Sequence, residues 1–335
     1  MKKLKNLHIS VKLLLILDFI IVLCFLMVYG PIDKARVFWI TTAMETANHK
    51  YLANVFYSEN TIKNVMSNNY LIEVDEDTLV DSIKIGEEEK VNSYTSIYEK
   101  QILEREEGAL YKLIQFKYKD FDCHLVAIYD PKRVEVGYNK KISQGKILTE
   151  IVKDHNAILG INGGGYFWSS GKPRGLVVHD GKVIYSQNSG SFQSAAINED
   201  GVLIVGSLKA SDVKTKRIKE AVSFFPSLIV NGKKATIKGT GGSGQNPRTV
   251  IAQRKDGIIL FLVVNGYGSK LSWKGRGGVY VNELIEILER YKAYNAINMD
   301  GGSSTTMVIG DKLINDPCEP LKDGQDFIRT AWLLK

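Results

Sequence analysis

Two glycine-rich breaks carry polar residues whose types and spacing are suited to chemistry. The stretch "INGGGYF" covers residues 161–167 and "NMDGGSSTTM" covers residues 298–307, and each follows an apolar run typical of a buried strand. Successive backbone amides in a turn can hold an anion, and neighbouring hydroxyls add donors. Asp300, in the second break, is suited to act as nucleophile or base, to orient a hydroxyl or to bind a cation. The alternative is a pair of tight turns, with the aspartate capping the next element.

Three other charged residues are candidates for the same site. Arg248 precedes the apolar run 249–252, and Arg329 stands among apolar residues in "FIRTAWLL". A desolvated guanidinium needs a carboxylate or phosphate partner, so both arginines are candidate anion ligands. A surface position at a strand start is the alternative for Arg248. Glu283 lies in the first turn of a predicted helix, where acids are also common for electrostatic reasons.

Familiar catalytic motifs are missing from this sequence. It has no Walker loop, no H-E-x-x-H and no G-x-S-x-G, and its five histidines form no triad-like pattern. An enzyme with this sequence would therefore rely on carboxylates and arginines. Asp300 and neighbouring carbonyls could house a divalent cation, although there is no dedicated cluster of metal ligands, so a divalent cation is the one cofactor left open.

The elements that must position these residues follow from local patterns. Short apolar runs separated by Asp-Gly and Asn-Gly turns predict a sheet-rich α+β (mixed α/β) domain. A helix is predicted near residues 281–291, with Leu284, Leu288 and Tyr291 on one face and Asn282 as its N-cap. Both glycine breaks lie at predicted strand ends, where loops commonly carry sites.

The N-terminal region predicts a membrane anchor. Residues 13–30 are almost entirely apolar, and as a helix they span roughly 27 Å, close to the hydrocarbon thickness of a bilayer. Lysines precede this segment, so residues 1–12 are predicted to be cytoplasmic and the remainder extracytoplasmic. The absence of a small-residue cleavage site favours an uncleaved signal anchor over a cleaved signal peptide. We therefore expect a single-pass protein of the cell membrane.

The rest of the chain divides at about residue 110. Residues 31–110 combine helical spacing with a charged, polar stretch and are predicted to be a helical and linker region; residues 111–335 are predicted to form the main domain. The net charge is +7, with no basic stripe interleaved with aromatics, so nucleic acid is not an expected partner. Cys123 and Cys318 could pair outside the cell, but their spacing is only a weak signal.

Five motifs in order resemble the phosphodiester glycosidase family. They are "INGGGYF", "FPSLIVNG", "NPRTVIAQRKDGIILFLVVNG", "GGVYVNELIEILERYKAYNAINMDGGSSTTM" and "RTAWLL". The family includes the lysosomal uncovering enzyme and bacterial proteins described as exopolysaccharide-biosynthesis-like. The resemblance extends over roughly residues 115–335. It implies hydrolysis of the bond between an anomeric carbon and a phosphate, here in envelope or extracellular polysaccharide.

The resemblance also implies roles for the residues at these positions. Asp300 and Glu283 are the candidate nucleophile or base, and Arg248 is the third candidate catalytic residue. Arg248 and Arg329 would hold phosphate or order the acids. Asn265 stands where many members of the family carry an aspartate, which weakens any ligating role there. The predicted substrate-binding set is Asn162, Gly163, Gly164, Asn265, Gly301, Gly302, Ser303, Ser304 and Arg329.

Two other functions fit the same residues. A non-catalytic module could use the amides and arginines to bind phosphate-containing envelope polysaccharides. An assembly protein for polysaccharide export could act through the helices of residues 38–66. Binding without product release would indicate the module, and a phenotype that depends on those helices alone would indicate the assembly protein.

Overall fold

The computed structural model describes residues 9–30, 33–45, 50–86, 93–241, 244–267, 277–318 and 324–335. The chain divides into two compact units. The helical unit comprises residues 1–70 with 238–244, and the sheet unit comprises residues 71–237 with 245–335. Residues 71–110, which the sequence analysis grouped with a helical and linker region, here belong to the sheet unit.

The helical unit contains one long apolar helix and three shorter ones. They are α1 (Ile9–Tyr29), α2 (Asp33–Glu45), α3 (Tyr51–Phe56) and α4 (Glu59–Met66). Helix α1 is long and apolar enough to cross a membrane, a property that signal sequences share. It begins at Ile9 rather than at the predicted Leu13. The shorter helices bury a small apolar core around Ile40 and Ala53.

Three antiparallel sheets build the sheet unit. The central sheet contains β2 (Tyr111–Tyr118), β3 (Phe121–Ile128), β11 (Ser227–Val230), β12 (Lys233–Lys234), β14 (Arg248–Arg254), β15 (Ile259–Val264) and β16 (Ala293–Met299), in the order β12-β11-β16-β14-β15-β3-β2. The second sheet contains β4 (Val134–Tyr138), β5 (Leu159–Asn162), β17 (Met307–Ile309), β18 (Lys312–Leu313) and β19 (Thr330–Leu334), in the order β18-β17-β5-β19-β4. The third sheet contains β6 (Leu176–His179), β7 (Lys182–Ser186), β8 (Phe192–Asn198), β9 (Leu203–Leu208) and β10 (Ile218–Ser223), in the order β7-β6-β10-β8-β9. A two-stranded sheet pairs β1 (Tyr70–Ile72) with β13 (Thr236–Lys238).

One apolar core lies between these three sheets and includes Phe261, Met299 and Trp332. A second core covers the other face of the central sheet, beneath α5 (Ile97–Leu103) and α8 (Val281–Arg290). Helix α6 (Leu148–Asp154) packs on the second sheet, and helix α7 (Asp212–Thr215) packs on the third sheet. Central strands buried on both faces read as continuous apolar runs. The predicted sheet-rich α+β class is confirmed.

Two local predictions can be compared with the structure. Helix α8 begins at Val281 with Tyr280 as its N-cap, so Asn282 as N-cap was wrong, because the first turn starts two residues earlier than the polarity of Asn282 suggested. Leu284, Leu288 and Tyr291 are buried on one helix face, as predicted. Cys123 is a buried free thiol. Burial raises the pKa of the Cys123 thiol to about 12, so this thiol is unreactive.

Gln253 joins the central sheet to the third sheet. Its side chain is fully buried; Nε2 donates to Gly201 O (2.8 Å) and to Gly257 O (3.0 Å), and Oε1 accepts from Leu203 N (2.7 Å). Gln253→Leu would leave these three backbone groups buried without partners. We expect a loss of about 2–4 kcal/mol in the free energy of unfolding.

Thermal denaturation of the variant would measure this loss as a lower melting temperature. Gln144→Leu, at an exposed position, is the matched control and should melt like the parent. Equal melting of Gln253→Leu and the parent would contradict the role of this side chain.

Candidate active site

Asn162 holds the two glycine breaks together. It ends β5 and is fully buried. Its Oδ1 accepts hydrogen bonds from Thr249 Oγ1 (2.7 Å) and Thr306 N (3.1 Å), and its Nδ2 donates to Asp300 O (2.6 Å). These partners lie on β14, before β17 and after β16. A single side-chain amide therefore fixes the ends of four strands relative to one another.

Gly163 and Gly164 are required by close packing. Their amides donate to Thr330 O (2.8 Å) and Thr330 Oγ1 (3.0 Å). A Cβ on Gly163 would lie 2.7 Å from Thr330 Oγ1, and one on Gly164 would lie 2.4 Å from Ser223 O. Both amides are thus used within the protein. These contacts favour a role for the two glycines in positioning the neighbouring strands. Direct contact of Gly163 and Gly164 with substrate stays a prediction.

The second break is held against the first break and against the start of β14. Asp300 N donates to Gly163 O (3.0 Å), and Gly302 N donates to Pro247 O (3.0 Å). A Cβ on Gly301 would lie 2.7 Å from Pro247 O. The chain then enters a 3-10 turn, Gly302–Ser304, in which Ser303 is half-buried. The two breaks therefore form one site, with Asp300 at its centre.

Asp300 and Asp326 form a carboxylate pair bridged by Ser304. The Ser304 Oγ lies 3.1 Å from Asp300 Oδ2 and 2.9 Å from Asp326 Oδ2. The one proton of the hydroxyl can be donated to either carboxylate or divided between them in a three-centre bond. When one carboxyl group is protonated, the two acids share that proton through the serine.

Burial favours the protonated form of Asp300. Burial is the main cause that raises the pKa of Asp300 to about 6, and the charge of Asp326 adds to it. Hydrogen bonds from Ser304 and Gly301 and the charge of Arg174 act in the opposite direction. Asp300 remains half-buried and therefore accessible. Two carboxyl groups with different environments are typical of acid–base sites.

Two arginines flank the carboxylate pair. Arg174 N donates to Gly165 O (2.9 Å), and the charge of Arg174 is felt at Asp300. Arg329 lies close enough to Asp326 for their charges to interact, and its Nε donates to Gly171 O (2.8 Å). Burial lowers the pKa of Arg329, although a guanidinium stays charged at any physiological pH. With one shared proton, two acids and two arginines leave one net positive charge for an anion.

Arg248 and Glu283 lie on the other face of the central sheet. Because Thr249 points toward Asn162, strand alternation directs Arg248 to the helix face, where its Nε donates to Val279 O (3.3 Å). Glu283 accepts from Tyr280 N (2.8 Å) and pairs with Lys119, as a helix cap does. Their predicted catalytic roles gain no support from these contacts.

Asn265 lies beyond the end of β15. Its amide N–H donates to Asp122 O (2.9 Å), and its Oδ1 is buried without a partner among the described residues. These contacts place it beside the β2–β3 hairpin. The substrate contact predicted for Asn265 stays a prediction.

The carboxylate pair alone is a poor match to a metal site. Among the described ranges, no three His, Cys, Asp or Glu side chains are grouped so that they could hold a metal ion. Hard divalent cations take about six or more oxygen ligands, so a cation here would depend on carbonyls, water or substrate for the remainder. The divalent cation stays a prediction, and no chemical step below depends on it.

Sequence reasoning missed Asp326, Arg174 and Gly165. Asp326 stands three residues before Arg329, and this closeness to a candidate arginine was the one available signal. Arg174 lies in "GKPRG", a turn with no pattern that distinguishes it from a surface loop. Gly165 belongs to the first break and approaches the acid: a Cβ there would lie 3.7 Å from Asp300 Oδ2.

Comparisons with known proteins identify relatives of this chain. N-acetylglucosamine-1-phosphodiester alpha-N-acetylglucosaminidases of mouse and human are 27% and 28% identical to this chain over 181 residues. That region is 48% of this chain and 34% of each relative, so the chain matches about a third of their length. The uncharacterized prophage-derived protein YomE of Bacillus subtilis is 24% identical over 175 residues, which are 50% of this chain and 26% of YomE.

A solved structure shows the same fold. It is the zebrafish N-acetylglucosamine-1-phosphodiester alpha-N-acetylglucosaminidase catalytic domain, auto-inhibited by its pro-peptide. The TM-score is 0.57 at 20% identity, over 69% of this chain and 85% of that one. The model of the phosphodiester glycosidase family matches residues 155–334, a shorter region than the resemblance predicted from residue 115. Because this match covers more than half of the chain, the protein belongs to the phosphodiester glycosidase family.

Proposed function

We propose that this protein is a membrane-anchored extracytoplasmic glycosidase that hydrolyses sugar-1-phosphodiester bonds in envelope or extracellular polysaccharide. The observation that carries the proposal is the proton-sharing pair Asp300–Ser304–Asp326 between two arginines. Glycoside hydrolysis requires two carboxyl groups in different protonation states on either side of an oxocarbenium-like centre. Family membership supports the same chemistry.

The pair divides the chemistry between its two members. Protonated Asp300 gives its proton to the oxygen between the anomeric carbon and phosphorus, and the C–O bond breaks with its electron pair on the departing phosphate. Ionised Asp326 stabilises the positive charge on the anomeric carbon. Asp300, now ionised, accepts the proton of the water that attacks this carbon, which restores its starting state. An acid whose pKa lies near the working pH is effective in this role.

The arginines recognise the phosphate. A phosphodiester carries one negative charge, and further negative charge develops on the leaving oxygen until the proton of Asp300 neutralises it. Arg174 and Arg329 supply fixed positive charges at the place where this negative charge grows, which lowers the barrier more than it tightens ground-state binding. The site thus selects a phosphate-linked sugar over a neutral glycoside.

The anchor gives the enzyme its location. Helix α1 would hold the chain in the cell membrane, with the sheet unit on the extracytoplasmic side, where phosphate-containing polysaccharides are accessible. The sugar in the relatives' name, N-acetylglucosamine, is our first choice of substrate.

The protonation of Asp300 predicts a pH-dependent effect on stability. A carboxyl whose pKa is raised from 3.8 to about 6 binds more protons folded than unfolded, so the folded state loses stability as pH rises between these values. Asp300→Asn removes this cost. We expect a gain of about 3 kcal/mol at pH 8, measured as a higher melting temperature, which disappears toward pH 4. Asp311→Asn, at an exposed turn, is the control. A gain independent of pH would contradict the assignment.

The proposed roles predict which variants lose activity. Asp300→Asn and Asp326→Asn should each lower kcat about 100-fold or more, assayed on the methyl diester of N-acetylglucosamine 1-phosphate. Arg174→Gln should lower kcat/KM with folding intact, whereas Asp311→Asn should match the parent. Loss of activity in Glu283→Gln with full activity in Asp326→Asn would favour the assignment from sequence. Binding of the diester without turnover in the parent would indicate a binding module.

The anchor predicts a membrane-bound product of unchanged length. The full chain, expressed in a bacterium, should stay in the membrane fraction after an alkaline wash, and its mass should include residues 1–30. A chain without these residues should be released. Recovery of a shortened mature form in the soluble fraction would show instead that α1 is a cleaved signal peptide.

A further inference from the structure

An exposed aromatic loop lies beside the candidate active site. This loop, residues 166–173, presents Trp168, whose surface is 80% exposed. Ligand sites are commonly lined by aromatic side chains, so an exposed aromatic ring next to the carboxylate pair and its arginines is a candidate ligand contact. The rest of the loop tip is Ser169, Ser170 and Lys172, with no aliphatic side chain. This composition suits a polyhydroxylated ligand better than a lipid surface.

The loop is held rigidly in place. Tyr166 pairs with Pro173 across its base, Phe167 N donates to Lys172 O (2.9 Å), and Gly171 N donates to Phe167 O (2.7 Å). The rings of Tyr166 and Trp168 lie nearly parallel, at 20°, with centroids 6.5 Å apart. Because the loop is already ordered, stacking a ligand on Trp168 would cost little conformational entropy.

Arg329 connects the loop to the carboxylate pair. Its guanidinium lies 3.8 Å from the centroid of the Tyr166 ring, its Nε donates to Gly171 O (2.8 Å), and its charge interacts with Asp326. Arg174 similarly lies over Phe167, 4.5 Å from the ring centroid. The arginines proposed to hold the scissile phosphate therefore also support the aromatic loop.

We propose that Trp168 forms a second sugar subsite, which stacks on the neighbouring sugar of a phosphodiester-linked glycan whose scissile phosphate lies between Arg174 and Arg329. Sugar rings present C–H groups on one face, and these pack against the electron-rich face of an indole. The proposal rests on the proposed function and narrows its substrate class. The substrate is a polymer of sugar-phosphate units, of which at least two sugars are recognised.

The test compares two probes on the full chain in detergent. One is the methyl diester of N-acetylglucosamine 1-phosphate, with a single sugar, and the other is a hexamer of N-acetylglucosamine 1-phosphate units. KM is measured by turnover, and Kd by calorimetry in case turnover is absent. The parent should bind the hexamer more tightly than the single-sugar diester. Trp168→Ala should weaken hexamer binding about tenfold, with a much smaller change for the single-sugar diester.

Two variants control this comparison. Trp168→Phe should retain most of the affinity for the hexamer, because it keeps an aromatic face. Tyr94→Ala removes another exposed aromatic side chain, next to α5 on the helix face of the central sheet, and should match the parent. Circular dichroism checks that each variant is folded.

The outcomes separate this proposal from the proposed function. Hexamer binding that depends on Trp168, without hydrolysis, would support the subsite and reject the glycosidase. If both probes were hydrolysed with no preference for the hexamer, the subsite would be rejected but the glycosidase activity would not. The same conclusion would follow if Trp168→Ala left the affinity for the hexamer unchanged. An equal loss for both probes would also reject it, since Trp168 would then contact the first sugar.

Discussion

The buried carboxamide of Asn162 is the interaction on which the site depends. Its three hydrogen bonds go to β14, to the Asp300 loop and to the segment before β17, so one group sets the spacing of all three. The contact is possible because the residues that follow Asn162 have no side chains, which lets β19 and the third sheet approach closely. A buried polar network of this kind is rigid when every member has a partner, and losing one member would leave several groups unsatisfied.

The rigid frame allows an electrostatic arrangement that would not persist in water. Two carboxyl groups share a proton through Ser304, and burial keeps that proton on Asp300 to about pH 6. This arrangement lowers the stability of the folded protein at neutral pH, and the apolar core between the three sheets must offset the loss. Stability given up at a site to hold a reactive group is a recurrent feature of enzymes. While Asp300 holds its proton, the site has a net positive charge, which suits a phosphodiester.

Local sequence patterns were sufficient to predict several helices and strands and part of the candidate site. Glycine breaks after apolar runs identified the Asp300 loop, because glycine at the end of a buried strand permits the close approach seen at Gly164. Helical periodicity identified α8 and its buried face, and continuous apolarity identified α1. Each of these features depends on residues only a few positions apart. The order of motifs then identified the family, which in turn implied the chemistry.

The tertiary structure decided which charged groups meet. Asp326 reaches Ser304 from 22 residues away, and no periodicity links the two. The sequence also could not predict which face of the sheet Arg248 would occupy. Strand β14 is buried along its whole length, so its polar and apolar residues do not alternate in a way that indicates a face. Sequence therefore determined where the chain could form a polar loop at the end of a buried strand. Only the packing of three sheets determined that an aspartate, and not Glu283, would stand beside Asp300.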